Sequence, residues 1–361
     1  MKTAIVHYWL CNRRGGERVL EALCELFPQA DIFTHVYDPE QLDSPIIQRH
    51  NVHTTFVNRL PFAKTKYQWY LPLMPLALEQ LDLRDYKLIL SSESGPAKGV
   101  LVSPNSRHVC YCHSPMRYVW DMQPEYFANA SIVKKVLAAP LLHYLRMWDA
   151  STANRVDSFV ANSSCIQRRI ELCYRRESTV IHPPVDVNDF DPTRSRDDFY
   201  LLAGELVPYK KPELAVAACN ALGKKLVVIG GGPMVESIRS MAGPTVQVMG
   251  RQPFSVLKDH LARCKALLFP GMEDFGILPV EAMASGAPVI AYGNGGILDS
   301  TVPDKTAIYF AEQTSQSLEE AIRLFEAKGV RWTAQEIAAH TQRFSRQRFI
   351  TEMDTHIRSV L

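Results

Sequence analysis

Two glutamates eight residues apart, Glu273 and Glu281, bracket the segment of this chain with the most chemistry in it. Between them stand Phe275, Gly276, Ile277, Leu278 and Pro279, and Gly286 and Pro288 follow. Pro279 suits a first helical turn, where a missing N–H costs nothing, and Gly286 suits a left-handed helix stop. The segment reads as strand, loop, helix, turn, strand. Gly276 permits close backbone approach, and the amides of Ile277 and Leu278 lie free at a helix N-terminus, a ready site for a diphosphate. Carboxylates only accept hydrogen bonds, so one on each side of a bound phosphate would match sugar hydroxyls. The same pair also reads as a first-turn dipole partner (Glu281) and a solvated loop residue (Glu273).

Other candidates are scattered along the chain. His113 follows a strand-like run at 108–112, at the end where open parallel sheets bind ligands; a lone histidine also serves as a core residue. Gly15 and Gly16 form a turn between a first strand and a first helix, open to a phosphate or a sugar. Neither this turn nor Gly230-Gly231-Gly232-Pro233 is a GxGxxG fingerprint, which removes the main support for a nicotinamide enzyme. Lys210 and Lys211 sit in a turn before a helix, either as a solvated face or as cations neutralising a diphosphate leaving group. Gly293-Asn294-Gly295-Gly296 is a turn whose amides would face the same ligand as Glu281. Eight cysteines occur without a CxxC pair; Cys110 and Cys112 share a strand face but lack two further ligands at metal spacing, so no metal site is expected.

The elements that must position these residues are short apolar runs at 3–8, 31–36, 88–91, 108–112, 158–161 and 178–182, then at 199–203, 225–229, 245–249, 266–269 and 288–292, alternating with helical patterns. Several runs are continuously Val, Ile or Leu, as strands buried on both faces of a parallel sheet are. The fold class is α/β with doubly wound sheets. A break at 182–192, with three prolines and three aspartates, separates an expected first domain (1–190) from a second (191–340). The stretch from Thr333 is helical by period, with Ile337, Phe344 and Phe349 on one buried side, and 341–361 is expected to pack back on the first domain.

At 361 residues, 47% hydrophobic and 22% charged, the chain has the composition of two globular domains. A net charge of +2 argues against a nucleic-acid partner. No run approaches the ~18 apolar residues of a membrane span. The N-terminus, with His7 and Asn12-Arg13-Arg14, does not read as a signal peptide, so the cytoplasm is the expected compartment. Bases mixed with aromatics at 59–76, and Arg168, Arg169, Arg175 and Arg176, read as a face that rests on an anionic membrane surface or as core packing beside solvated arginines.

Taken together, Glu273 and Glu281 with Phe275-Gly276 between them, Gly295-Gly296, Gly15-Gly16-Glu17, Cys112-His113-Ser114-Pro115-Met116-Arg117-Tyr118 and Val207-Pro208-Tyr209-Lys210 resemble the retaining glycosyltransferases of family 4, in the family's order and over nearly the whole chain. His113 to Tyr118 looks most like the bacterial subgroup that builds O-antigen, capsule and exopolysaccharide, many of whose members are mannosyltransferases using GDP-mannose. The resemblance implies a GT-B architecture, two Rossmann-like domains facing across a cleft with the donor on the second and the acceptor on the first. It implies that Glu273 contacts the donor sugar, Glu281 the ribose, the amides of Phe275, Gly276, Ile277 and Leu278 the diphosphate, and Lys210 (or Lys211) the leaving phosphate. His113 would sit by the reacting sugar, Gly15 and Gly16 would let the first domain close, and Arg251 would lie near the base.

No metal and no cofactor are implied beyond the nucleotide-sugar donor. The expected acceptor is a lipid-linked saccharide, met at the cytoplasmic face of the inner membrane. Two positions depart from the family pattern: Glu205 stands where an arginine is usual, and Asp299 where a glutamate is. The first opens a second reading, a non-catalytic nucleotide-sugar binder in a polysaccharide assembly complex. A GT-B sugar-nucleotide epimerase is a third.

Overall fold

The computed structural model describes residues 1–123 and 131–361. It divides into two compact units: Met1–Pro184 with Gln347–Leu361, and Val185–Arg346.

In the first unit β1 (Thr3–His7), β2 (Asp31–Thr34), β3 (Val52–Thr54), β4 (Leu88–Glu93), β5 (Arg107–Cys112), β6 (Ser158–Ala161) and β7 (Ser178–Val180) form a sheet of order β3-β2-β1-β4-β5-β6-β7. In the second, β8 (Tyr200–Ala203), β9 (Leu226–Ile229), β10 (Val246–Gly250), β11 (Ala266–Phe269), β12 (Val289–Tyr292) and β13 (Ala307–Phe310) form the order β10-β9-β8-β11-β12-β13. The pairings between these strands are parallel. In each unit the chain reverses its strand order once, between β1 and β4 and between β8 and β11. These are the points where α/β sheets open for ligands.

Strand residues alternate between two cores, one on each face of the sheet. In the first unit Ala4, Val6, Phe33 and Ile89 face one way and Ile5, Ile32, Leu88 and Leu90 the other. In the second, Leu201, Leu267 and Val289 oppose Tyr200, Leu268 and Ile290. Full burial on both faces is why these strands read as unbroken apolar runs. The outermost β3 (Val-His-Thr) carries no such signal; β13 (Ala-Ile-Tyr-Phe) does, and both are absent from the sequence-based assignment.

The unit boundary falls at Pro184/Val185, not at 190/191, because Val185, Val187 and Phe190 are already buried in the second core. The return falls at Arg346/Gln347 rather than 340/341. The stretch from Thr333 is not one helix. It breaks into Ala334–His340, capped by Thr333 and Glu336, a 3₁₀ turn at Thr341–Phe344, and Arg346–Val360. Ile337 and Phe344 accordingly belong to the second core, while Phe349, Met353 and Ile357 belong to the first.

Candidate active site

In the second unit three loops meet where the strand order reverses, those after β8, β11 and β12. They interlock through backbone at positions that exclude a side chain. A Cβ on Gly271 would lie 2.7 Å from the Lys210 Cα, one on Gly295 would lie 2.7 Å from the Glu273 carbonyl oxygen, and one on Gly296 2.1 Å from that of Asp274. The Gly296 amide donates to the Glu273 carbonyl at 2.9 Å. This clamp holds Glu273 against Lys210, whose Nζ lies 2.8 Å from Glu273 Oε1 with each side chain about a quarter exposed. Burial would depress the lysine, but the Glu273 carboxylate, with Tyr209 and Glu205 behind it, outweighs burial and holds the ammonium above its ordinary pKa. A permanent cation thus stands beside a carboxylate at the mouth of the switch point.

Downstream of Glu273, Phe275 is buried and packs edge-on against Phe344, 5.5 Å between ring centroids. Gly276 adopts φ +85° as the N-cap of the Ile277–Ala284 helix, a conformation that side chains other than glycine's rarely take. Ile277 and Leu278 open that helix, so their amides lack intrahelical partners. Glu281, one turn in, is buried. The helix stops at Gly286 (φ +74°), whose amide reaches Met283 O while that of Ala287 reaches Ala282 O, each at 2.8 Å.

Lys211 takes a left-handed backbone (φ +50°) before Pro212 and caps the Pro212–Leu222 helix. Arg251 is exposed; its Nη2 lies 3.9 Å from Glu205 Oε1, and its side chain runs over Gly231. Gly271 and Asp274, which is 8% exposed, are site residues that sequence reasoning missed. Only the approach of distant loops distinguishes them.

The first unit brings together His113 and Gly16. A Cβ on Gly16 would lie 2.3 Å from the Tyr8 hydroxyl and 3.7 Å from His113 Nε2, so the glycine makes room for both rings; Gly15 starts the Gly15–Leu26 helix beside it. His113 Nε2 bonds Ser92 Oγ at 2.8 Å, Ser92 Oγ bonds His7 Nδ1 at 3.0 Å, and His7 Nε2 meets Glu17 Oε1 at 3.5 Å. Burial, with His7 and Arg117 behind it, pushes His113 down to about 3, so the ring is neutral near pH 7. Deeper lies a fully buried cluster: Lys98 pairs with Asp149 and, at 3.3 Å, with Glu93, while Trp120 and Tyr174 donate to Asp149. Burial pushes the Glu93 carboxyl up against the pull of Lys98. None of Tyr8, His7, Ser92 or this cluster was singled out from the sequence, though a histidine inside an apolar strand and a glutamate straight after a double glycine were visible there.

The arginines expected on a membrane surface are largely engaged within the fold. Arg169 pairs with Asp121 at 2.5 Å, Arg168 with Glu171 at 2.5 Å, and Arg176 donates to the carbonyls of Ala153 and Val156. The 59–76 segment does expose Phe62, Trp69, Leu73 and Leu76 beside Lys64 and Lys66. A second exposed apolar face escaped the sequence reading: Ile132, Val133, Val136 and Leu137, beside Lys134 and Lys135, at the start of the Ile132–Thr152 helix. Both elements pack on the same core, through Leu71 of the first, continued by Leu78 just beyond it, and Leu142 and Leu145 of the other. Among the described residues no helix is long and apolar enough to cross a membrane, and no group of three or more His, Cys, Asp or Glu residues is arranged to hold a metal.

Two family models match in succession, Glycosyltransferase Family 4 over residues 13–189 and Glycosyl transferases group 1 over 188–343. The chain belongs to the family-4 glycosyltransferases. Among its curated relatives, the O-antigen chain mannosyltransferase of Salmonella typhimurium is 24% identical over 205 residues, covering 52% of this chain and 56% of that one. A GDP-mannose-dependent alpha-(1-6)-phosphatidylinositol monomannoside mannosyltransferase of Mycobacterium tuberculosis is 30% identical over 135 residues, covering 32% and 35%. The chain spans about half the length of the curated relatives it matches first. The crystal structure of Anabaena HepE in complex with UDP and glucose matches with a TM-score of 0.71 at 15% identity, covering 99% of this chain and 100% of that one. With two parallel α/β units, this family-4 chain has the GT-B fold.

Proposed function

We propose that this family-4 glycosyltransferase is a retaining, metal-independent hexosyltransferase that moves mannose from GDP-mannose onto a lipid-linked oligosaccharide in bacterial surface polysaccharide synthesis. The observation that carries the reading is the Lys210–Glu273 pair clamped beside the Gly276 helix N-terminus at the switch point of the second unit. Lys210 and the amides of Phe275 to Leu278 neutralise the departing diphosphate, the electrostatic part a metal would otherwise play. Glu273 accepts from the donor sugar's hydroxyls, Glu281 from the ribose, and His113 meets the reacting sugar.

The anomeric carbon–phosphate oxygen bond breaks as the acceptor oxygen bonds to the same face of that carbon. The acceptor's proton passes to the departing phosphate oxygen, so no side chain has to be a strong nucleophile. The mannosyltransferase names among the relatives support the sugar, and the GDP-mannose dependence of the mycobacterial one supports the base.

The enzyme meets its acceptor at the cytoplasmic face of the inner membrane, through the exposed apolar and basic residues of 59–76 and of the 132–137 helix start. Val136→Asp with Leu137→Asp abolishes co-sedimentation with anionic vesicles while leaving donor binding intact; unchanged sedimentation removes this surface.

The deciding experiment is a thermal-shift panel of GDP, UDP, ADP and CDP with and without EDTA, followed by transfer assays with GDP-mannose. A ligand bound only by the folded state raises its melting temperature. Stabilisation by GDP that survives EDTA is the expected result; stabilisation by UDP alone replaces the donor. A second reading, a non-catalytic nucleotide-sugar binder, is favoured by Glu205 with Arg251 beside it. GDP binding without turnover on any acceptor supports that one.

A further inference from the structure

We propose that Glu17, His7 and Ser92 are positioning residues that fix the tautomer of His113, leaving its Nδ1 as a hydrogen-bond acceptor for a substrate hydroxyl. The substrate half of this statement rests on the reading of His113 above; the relay itself does not.

The four groups form one continuous hydrogen-bonded line. His7 ends β1, Ser92 lies opposite it in β4, and His113 follows β5, so three adjacent strands supply it at their carboxyl ends. His7 and Ser92 are fully buried and Glu17 is 3% exposed, so bulk water does not compete for these protons.

The direction of the line follows from what each group can do. A carboxylate accepts and cannot donate. One Glu17 oxygen already takes the Arg14 amide at 2.7 Å, and the other faces His7 Nε2. The proton between them therefore sits on His7 Nε2. In the proposed relay that is the ring's one proton, so Nδ1 is bare and accepts from the Ser92 hydroxyl at 3.0 Å. The Ser92 oxygen, its proton spent, accepts from His113 Nε2 at 2.8 Å. In a neutral imidazole the hydrogen bond at one nitrogen decides the state of the other. His113 Nδ1 is left with its lone pair, and among the described residues it has no hydrogen-bond partner. Depression of the His113 pKa by burial agrees with a neutral ring. Glu17 also caps the turn at Arg14 and so holds Gly15 and Gly16; the same carboxylate sets both the glycine turn and the histidine.

The test is long-range proton–nitrogen correlation of the full chain carrying ¹⁵N-labelled histidine, near neutral pH. His7 and His113 are both expected as single Nε2–H tautomers. Ser92→Ala leaves His113 as a mixture of tautomers and lowers kcat about tenfold, the loss of one oriented hydrogen bond, with donor KM unchanged. Glu17→Gln, which can donate as well as accept, mixes the tautomers at both rings. An Nδ1–H proton on His113, a doubly protonated His7, or an unaltered His113 tautomer in Ser92→Ala overturns the proposal. If either variant fails to fold, the wild-type spectrum alone still decides. A chain that shows both Nε2–H rings yet transfers no sugar loses the glycosyl-transfer reading and keeps the relay. Sugar transfer by a chain whose His113 carries Nδ1–H does the reverse.

Discussion

The two units place their candidate residues at equivalent strand ends, β1, β4 and β5 in the first and β8, β11 and β12 in the second, yet build them from opposite materials. The first fills its switch point with side chains: a buried line from Glu17 to His113 above a buried Glu93–Lys98–Asp149 cluster. The second fills its own with backbone, glycines pressed against carbonyls, and sets the partly exposed Lys210–Glu273 ion pair in front. A site built of buried titratable groups answers to protons. A site built of interlocked backbone answers to added atoms. That difference can be broken or sharpened by experiment.

The largest effect is expected at the second unit's ion pair. Glu273→Gln or Lys210→Ala removes a contact matched to charge that moves in the reaction, and turnover with GDP-mannose falls on the order of 10²–10³-fold, with melting temperature nearly unchanged. Glu281→Ala acts instead on donor affinity. Wild-type kinetics in both glutamate variants would leave the backbone clamp without a catalytic purpose.

Next comes the clamp. Gly296→Ala pushes a methyl into the Asp274 carbonyl and costs about 3 kcal/mol by denaturant unfolding, whereas Gly223→Ala, with open space around it and only its left-handed backbone (φ +63°) to strain, costs about 1. Equal losses would mean that loop contact is not what demands glycine at 296.

Acid sharpens the comparison from the other side. Burial holds His35 and His108 down at about 4 and His113 at about 3, all in the first unit. Below the ordinary histidine value the unfolded chain takes up protons that these folded rings refuse, so stability falls as pH drops from about 6.5 to about 4. Glu93, pushed up by burial, binds a proton in the folded state over part of that window and cancels roughly one of the three. Each ring so held contributes up to about 1.4 kcal/mol per pH unit, Glu93 offsets part of it, and His356, also lowered by burial, adds to the loss from the first unit. Four of the five tryptophans lie there, so fluorescence follows its unfolding, and Trp332 reports the second. Simultaneous acid unfolding of both would erase the contrast.

The smallest effect is at Glu205. Glu205→Arg is expected to strengthen GDP binding about threefold by calorimetry, on the scale of one partly screened contact, since Arg251 already stands beside it. Weaker or unchanged binding refutes the idea that an acid here costs the site affinity.

Much of this was legible in the sequence, and the exceptions have a common cause. Gly276 and Gly286 could be recognised because their left-handed backbones belong to local turns around one helix. Gly271 could not, because what excludes its side chain is Lys210, 61 residues earlier. His113 could be placed at a strand end, but the hydroxyl that orients it belongs to a residue 21 positions away, and that hydroxyl's next partner lies 85 positions earlier still. The arginines at 168–176 read as a basic surface because a sequence gives their charge and not the carboxylates and carbonyls that meet it.

Strand and helix, two parallel sheets, the break between units and the Glu273–Glu281 segment were determined by the sequence alone, because backbone geometry imposes periods of two and 3.6 on which residues face inward. Which loops interlock, which proton line runs beneath His113, which apolar faces stay uncovered and where the chain returns to its first unit were decided by the tertiary structure. Each depends on strand order, and strand order brings together residues between which no local periodicity runs.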